Sequence, residues 1–111
     1  MSEEEYVIDM EDYRCIRVVF SKNKWEEKSK QHPELRNTKF LKNIEKVIED
    51  PEAVWQDYDD PKSKRCYYRK YSTKSYIKVV VWVAHRPCRV VSAYEINWIK
   101  EEKYSGLKQL I

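Results

Sequence analysis

Glycine is nearly absent from this chain: among 111 residues there is one, Gly106. Glycine-rich phosphate loops need several glycines in one short segment, so the common nucleotide-binding fingerprints are excluded. Long apolar runs are also missing. The longest one, residues 79–84, is far shorter than the roughly 20 residues that a membrane-spanning helix needs. The sequence predicts a soluble protein with no membrane partner and no cofactor.

Cysteine is scarce and unpaired. Cys15, Cys66 and Cys88 are odd in number, and no two of them form a CxxC pair. Since no signal peptide is recognisable, we expect reduced thiols in a cytoplasmic protein, and neither a disulfide framework nor a zinc site. The three aspartates within residues 57–60 could hold a cation, but such a cluster is more often a solvated turn. No metal site is predicted.

Charged and aromatic residues are abundant. Four Trp and nine Tyr predict a folded chain, and its length suits one domain over residues 1–111. The charge is unevenly divided, because residues 1–61 carry 10 Lys/Arg against 16 Asp/Glu, whereas residues 62–111 carry 12 against 3. A basic half attracts polyanions unless folding interleaves the two halves and cancels the field.

Apolar periodicity divides the chain into a hairpin, two helices and a run of strands. Strand patterns cover residues 6–10, 15–20, 54–58 (weakly), 65–71, 76–84 and 88–94. Ser21 is a predicted N-cap for a helix to about residue 30, and an apolar stripe predicts a second helix over 37–49. This order predicts an α+β domain with two N-terminal helices packed on a mainly antiparallel sheet. The tail from residue 96 fits a short helix or an extended cover.

Residues 65–71 combine basic and aromatic side chains. Strict alternation puts Arg65, Tyr67, Arg69 and Tyr71 on one face of a strand. Guanidinium groups and phenols make a poor core, but they suit a phosphate backbone and stacked bases. The alternative is a solvated edge strand, where tyrosine is common because it suits strands. The segment fits both interpretations.

Four other residues could take part in chemistry. His32 can exchange a proton near neutral pH, and Pro33 restricts its backbone, although a surface or capping histidine is the commoner case. Lys78 interrupts an apolar strand, so its ammonium must reach a partner or an open groove. The hydroxyl of Ser92 could bond a phosphate or a backbone group, and His85 is expected in an exposed turn. Together they suggest a metal-free phosphodiester site.

The order of short motifs resembles a known group, the phage- and mobile-element-associated nucleases of the Barnase–EndoU–colicin–RelE superfamily. The matching segments span residues 6–104. They include Trp25, His32-Pro33-Glu34, Asp50-Pro51-Glu52-Ala53-Val54, Tyr67-Tyr68-Arg69, Val79-Val80-Val81, Ser92-Ala93-Tyr94 and Ile99-Lys100. Gln31 and Ser92 depart from the pattern, since the family often has Arg and Thr at these positions.

The resemblance implies a RelE/barnase-like fold and metal-independent cleavage of RNA through a 2′,3′-cyclic phosphate. It implies that His32 is the acid or base, that Arg69 stabilises the phosphorane and that Ser92 bonds the phosphate, with Tyr68 and Tyr94 nearby. Alternation places Tyr68 and Arg69 on opposite faces of their strand, so without a bulge only one of them lines a cleft. Arg69 is the favoured one.

Three functions are consistent with these patterns. The first is a metal-independent endoribonuclease, a toxin or effector of a mobile element or a toxin–antitoxin pair, which would imply an acidic antitoxin or immunity protein as partner. The second is a non-catalytic RNA-binding module on the same fold, and the third is a domain whose basic face binds an acidic protein. Contacts with RNA are predicted for Arg65, Tyr67, Tyr71, Lys78, Tyr94 and Lys100.

Overall fold

The computed structural model describes residues 4–104 and 106–111, and this part of the chain forms a mixed α+β domain, as predicted. Its strands are β1 Tyr6–Glu11, β2 Arg17–Ser21, β3 Ala53–Gln56, β4 Lys64–Ser72, β5 Ser75–Trp82 and β6 Cys88–Ile96. Its α-helices are α1 Lys22–Ser29 and α2 Thr38–Glu49, and short 3₁₀ helices span Pro33–Arg36 and Lys100–Lys103. Within the described ranges, every helix is too short or too polar to span a membrane.

The strands form one sheet in the order β1-β2-β6-β5-β4-β3. Neighbours are antiparallel except β2 and β6, which run parallel and pair only at Val18 with Cys88 and at Val19 with Arg89. The predicted mainly antiparallel sheet is confirmed. Strands β4, β5 and β6, which come from the basic half of the chain, lie side by side, so the strands of the two halves do not alternate there.

Both predicted helices form, and their caps explain where they begin. The Ser21 side chain accepts a hydrogen bond from the Lys24 N–H at 3.1 Å, and the Asn37 side chain accepts one from the Lys39 N–H at 2.8 Å. Helix α1 ends before His32, because a residue that precedes proline is disfavoured in the α conformation. His32 therefore lies in the loop between α1 and the first 3₁₀ helix.

The two faces of the sheet are covered differently. One face, here called the helix face, packs against α2, and their shared cluster includes Phe40, Ile44, Val47, Ile48, Val54, Tyr67, Ile77, Val79 and Val81. Tyr67 is fully buried in that cluster, which corrects the prediction that its side of β4 is a poor core. The opposite face carries a smaller buried cluster, consisting of Ala53, Cys66, Tyr68 and Val80.

The C-terminal tail covers that second face. The Lys100–Lys103 3₁₀ helix follows β6, and the chain then pairs with β3, where the Gln56 N–H donates to the Lys108 carbonyl and the Leu110 N–H to the Val54 carbonyl. The tail thus contains both a short helix and an extended segment, the two forms that its sequence predicted as alternatives. We call residues 98–104 the strap, and the face beneath them the strap face.

A buried carboxylate ties the N-terminal hairpin to β4. Asp12 accepts hydrogen bonds from the Tyr67 hydroxyl and from the Arg14 guanidinium, each at 2.7 Å. Burial raises the pKa of Asp12, but hydrogen bonds from Arg14, Tyr67 and the backbone outweigh burial and hold the pKa below its ordinary value. Tyr67 is therefore a structural hydrogen-bond donor, and its ring is not available for base stacking.

The substitution Tyr67→Phe tests this network. It removes a donor from a buried carboxylate, so we expect the free energy of unfolding at pH 7 to fall by about 1.5–3 kcal/mol. Because the folded-state pKa of Asp12 is lowered, its stabilising contribution is present above the unfolded-state pKa and is lost as pH falls through the folded-state pKa. The difference in the free energy of unfolding between the wild type and Tyr67→Phe therefore becomes smaller below about pH 4. Urea unfolding at several pH values measures this difference.

Tyr71→Phe is the matched control, because Tyr71 lies on the same strand and is 44 % exposed. We expect it to unfold like the wild type. An equal loss in both variants, or a loss in Tyr67→Phe that does not change with pH, would contradict the assigned network.

Candidate active site

A pocket of about 220 Å³ opens on the strap face, between the sheet and the strap. Its walls come from β4, β5, β6, the strap and the segment after β3. The lining residues are mostly polar: Asp57, Tyr58, Asp59, Lys64, Lys78, Val80, Ser92, Tyr94, Lys100 and Glu101. Four of the residues that the sequence singled out, Lys78, Ser92, Tyr94 and Lys100, are therefore brought together here.

Strand pairing explains this convergence. Lys78 on β5 lies opposite Tyr94 on β6, and Val80 lies opposite Ser92, so these side chains share the strap face. The register between β5 and β6 shifts just beyond this point, between Val80 and Val81. This irregularity lies next to the pocket, as bulges often do at functional sites.

Lys78 and Glu101 form a buried ion pair at the floor of the pocket. The Lys78 Nζ lies 2.7 Å from the Glu101 Oε1, and their side chains are 5 % and 1 % exposed. The Tyr68 hydroxyl donates to the other oxygen of the same carboxylate. The Lys78 ammonium also lies 5.7 Å from the centre of the Tyr68 ring and 5.8 Å from that of Tyr94. The prediction that Lys78 must reach a partner or a groove is confirmed.

The ion pair keeps both groups charged in spite of their burial. Burial lowers the pKa of Lys78, whereas the hydrogen bond to Glu101 and its negative charge raise it, and the net direction is upward. Burial raises the pKa of Glu101, but hydrogen bonds from Lys78 and Tyr68 bring it below its ordinary value. Burial also raises the pKa of Tyr68, whose hydroxyl therefore stays protonated and donates.

Asp57, Cys66 and Glu101 offer ligand atoms that lie within 4.8 Å of one another, a grouping that could hold a metal ion. The group is already satisfied by other contacts, since the Cys66 thiol lies 3.3 Å from Asp57 Oδ1 and Lys78 is the cation beside Glu101. Burial raises the pKa of Cys66, so its thiol stays protonated within this network. We therefore assign these residues to the hydrogen-bonded network of the pocket.

His32 lies beside the pocket, next to β6. Its imidazole stacks on the Tyr94 ring, with ring centres 4.9 Å apart and planes 15° apart. The loop that carries it is fixed by Trp25, whose indole N–H donates to the Leu35 carbonyl at 2.7 Å. Because β2 pairs with β6 only as far as Arg89, the loop has room beside the rest of β6.

Arg69 lies on the other face of the sheet. It is paired with Ile77, which belongs to the helix-face cluster, and its guanidinium donates to the carbonyl of Asp50 at 2.8 Å, at the end of α2. The expected grouping of Arg69 with Ser92 is therefore wrong. Alternation along β4 instead turns Tyr68 toward the strap face, so the preference for Arg69 over Tyr68 is also corrected.

The rest of the predicted basic and aromatic face is engaged within the protein. Arg65 donates to two backbone carbonyls nearby, and Tyr67 is fully buried. Tyr71 is partly exposed but packs edge-on against Phe40 of α2. Of the expected nucleic-acid-binding face only Tyr67 is thus a core residue, whereas Arg65 and Arg69 are half-buried and Tyr71 is exposed.

Sequence reasoning missed Glu101. In the run Lys100-Glu101-Glu102-Lys103, nothing distinguishes it from the neighbouring Glu102, which is exposed. The one available signal is Lys78, since a buried lysine requires an acidic partner. The chain has 19 acidic residues to choose from, and only the course of the strap selects one of them.

Asp57 was considered in the sequence only as part of an acidic cluster. Its carboxylate accepts the N–H groups of Asp59 and Asp60, so the cluster is a turn, as expected. The turn also places Tyr58 against Tyr104 of the strap, with ring centres 3.9 Å apart. His85 is exposed in the turn between β5 and β6, which was also predicted.

Comparison of the chain with known protein families, with curated proteins and with solved structures gives no match.

A double-mutant cycle tests the ion pair. Lys78→Met or Glu101→Leu alone leaves a buried charge without its partner, so each is expected to lower the free energy of unfolding by about 3–5 kcal/mol. The double variant removes both charges, and we expect it to be much more stable than the sum of the single losses implies. Urea unfolding of the four proteins at pH 7 gives the coupling free energy.

The exposed pair of Arg17 and Asp9 provides the control cycle, because their side chains are 53 % and 43 % exposed. We expect its coupling to be small and to fade with added salt. Additive losses at Lys78 and Glu101 would show that the two charges do not depend on each other.

Proposed function

We propose that the protein is a metal-independent endoribonuclease that cleaves RNA to leave a 2′,3′-cyclic phosphate end. One observation carries the proposal: Lys78, Ser92, Tyr94 and Lys100 line one pocket, and the imidazole of His32 stacks on Tyr94 at its edge. This set combines positive charge, hydroxyl groups and a proton-exchanging imidazole, which are the groups that cleavage of a phosphodiester requires.

The reaction assigns each of these groups a role. The ribose 2′-oxygen forms a bond to phosphorus while the bond from phosphorus to the 5′-oxygen breaks. A base takes the proton of the 2′-hydroxyl and an acid gives a proton to the leaving 5′-oxygen. His32 serves as the base or the acid, and a water molecule exchanges the other proton. The hydroxyls of Ser92 and Tyr94 donate to the phosphate, and Lys78 and Lys100 supply positive charge near the phosphorane.

We also propose that the fold is RelE/barnase-like. A hairpin, a Trp-bearing helix ending near a His-Pro pair, a second helix and consecutive antiparallel strands follow one another as in the RelE/barnase-like nucleases that the motifs resemble. On that analogy we propose a toxin or effector of a mobile element or toxin–antitoxin pair. The strap face of the adjacent strands from the basic half would then bind RNA, and an acidic antitoxin or immunity protein would cover it.

The decisive test is incubation of purified protein with a long unstructured RNA in excess EDTA. We expect fragments with 2′,3′-cyclic phosphate ends. The His32→Ala variant is expected to cleave about 100-fold more slowly or worse, because it lacks the general acid or base. Ser92→Ala should lose less activity, since it removes one neutral donor to the phosphate.

Two matched variants control for general effects. His85→Ala removes the other histidine, which lies in the exposed turn, and Arg69→Ala removes a cation from the opposite face. Both are expected to cleave RNA like the wild type. RNA that is bound but left intact, also in the presence of translating ribosomes, would reject the nuclease and favour the non-catalytic RNA-binding module.

A further inference from the structure

The strap places an anion where the proposed reaction would place a phosphate. The Glu101 carboxylate is held by an ammonium group from Lys78 and by a phenolic hydroxyl from Tyr68. A cation and a hydroxyl donor are also what a phosphate oxygen binds. Glu101, Lys78 and Tyr68 are 1 %, 4 % and 0 % exposed, so Glu101 occupies the position beside the Lys78 ammonium that an outside anion would need.

We propose that Lys78 and Tyr68 form a phosphate-binding subsite, that Glu101 fills it as an internal ligand, and that a phosphate group of RNA displaces Glu101 as the strap lifts. This inference deepens the proposed function and rests on it for the identity of the ligand. It accounts for a lysine in the middle of a strand that is otherwise apolar on both sides.

The exchange keeps the buried charges balanced. Removing Glu101 alone would leave Lys78 as an unpaired buried cation, which is strongly unfavourable. An incoming phosphate supplies the replacing negative charge, so the strap opens together with ligand binding. Once Glu101 is displaced, Lys64, Lys78 and Lys100 outnumber Asp57 and Asp59 in the pocket lining, so the net charge of the lining favours an anion.

The attachment of the strap allows such a movement. It is continuous with β6 at one end, and beyond its other end residues 108–110 pair with β3, so it can lift without leaving the sheet. Between these ends its side chains hold the face through the Glu101 contacts, the packing of Ile99 and the stacking of Tyr104 on Tyr58. Breaking these side-chain contacts leaves the strand pairing at both ends intact.

Inorganic phosphate is the probe for the first experiment, and calorimetry measures its affinity. If Glu101 competes for the subsite, Glu101→Gln removes the competing charge, and phosphate should bind about tenfold more tightly than to the wild type. Glu102→Gln, a change of the same kind at the exposed neighbour, is expected to bind like the wild type. Adding Lys78→Met to Glu101→Gln should abolish the gain. An unchanged or weaker affinity in Glu101→Gln would overturn the proposal.

The second experiment uses the wild-type protein and its own cysteines. Cys66 lies under the strap, Cys88 is buried elsewhere in the core, and Cys15 is exposed. We expect phosphate to accelerate alkylation of Cys66 by iodoacetamide several-fold, read peptide by peptide in a mass spectrometer, while Cys88 stays protected and Cys15 reacts fast throughout. A Cys66 rate that does not rise, or that rises only together with Cys88, would refute strap opening.

Neither experiment requires cleavage, so the two proposals can fail separately. Phosphate binding and Cys66 exposure in a protein that never cuts RNA would reject the nuclease and keep the subsite. Cleavage of RNA by a protein in which Glu101→Gln gains no phosphate affinity would keep the nuclease and reject the subsite.

Discussion

The charge of Lys78 is the constraint on which the rest of the strap face depends. An ammonium group in the middle of a central strand cannot stay buried without an anion. The chain supplies that anion from Glu101, at a distance of 2.7 Å. To deliver it, the tail after β6 must cross the sheet, and in doing so it covers Tyr68 and Cys66 and forms one wall of the pocket. The position of the strap, the shape of the pocket and the ion pair therefore depend on one another.

The same hydrogen-bonding arrangement occurs on both faces of β4. Two adjacent tyrosines point to opposite sides of the strand, and each hydroxyl donates to a buried carboxylate that also meets a cation. On the helix face Tyr67 donates to Asp12, which is paired with Arg14. On the strap face Tyr68 donates to Glu101, which is paired with Lys78. Each network ties β4 to a terminal segment of the chain, the hairpin on one side and the strap on the other.

Local patterns in the sequence predicted the elements well, because caps and apolar periodicity act over a few residues. Ser21 and the apolar stripe of α2 are examples. Alternation correctly separated Tyr68 from Arg69, but it cannot tell which side of a strand a helix will cover. For that reason alternation predicts which residues share a side with Tyr67 but not that Tyr67 belongs to the core. Glu101 depends on the path of the tail, which no local pattern contains.

That Lys78 lies on a strand next to the one with Ser92 and Tyr94 could be predicted, because a short turn joins the strand patterns at 76–84 and 88–94. The contact of His32 with Tyr94 could not be predicted, because it depends on how far β2 pairs with β6 before α1 begins. The candidate site was therefore predictable where it follows the sheet and unpredictable where loops and the tail complete it.

The position of β6 in the sheet has a consequence for the order of folding. This strand is the last of the six in the chain, yet it lies between β2 and β5 and joins the two parts of the sheet. Before residues 88–96 are synthesised, the N-terminal hairpin and the β3–β4–β5 group have no shared strand through which to pair. The sheet closes only when nearly the whole chain is available, so its assembly depends on contacts between distant residues and is expected to be slow for a domain of this size.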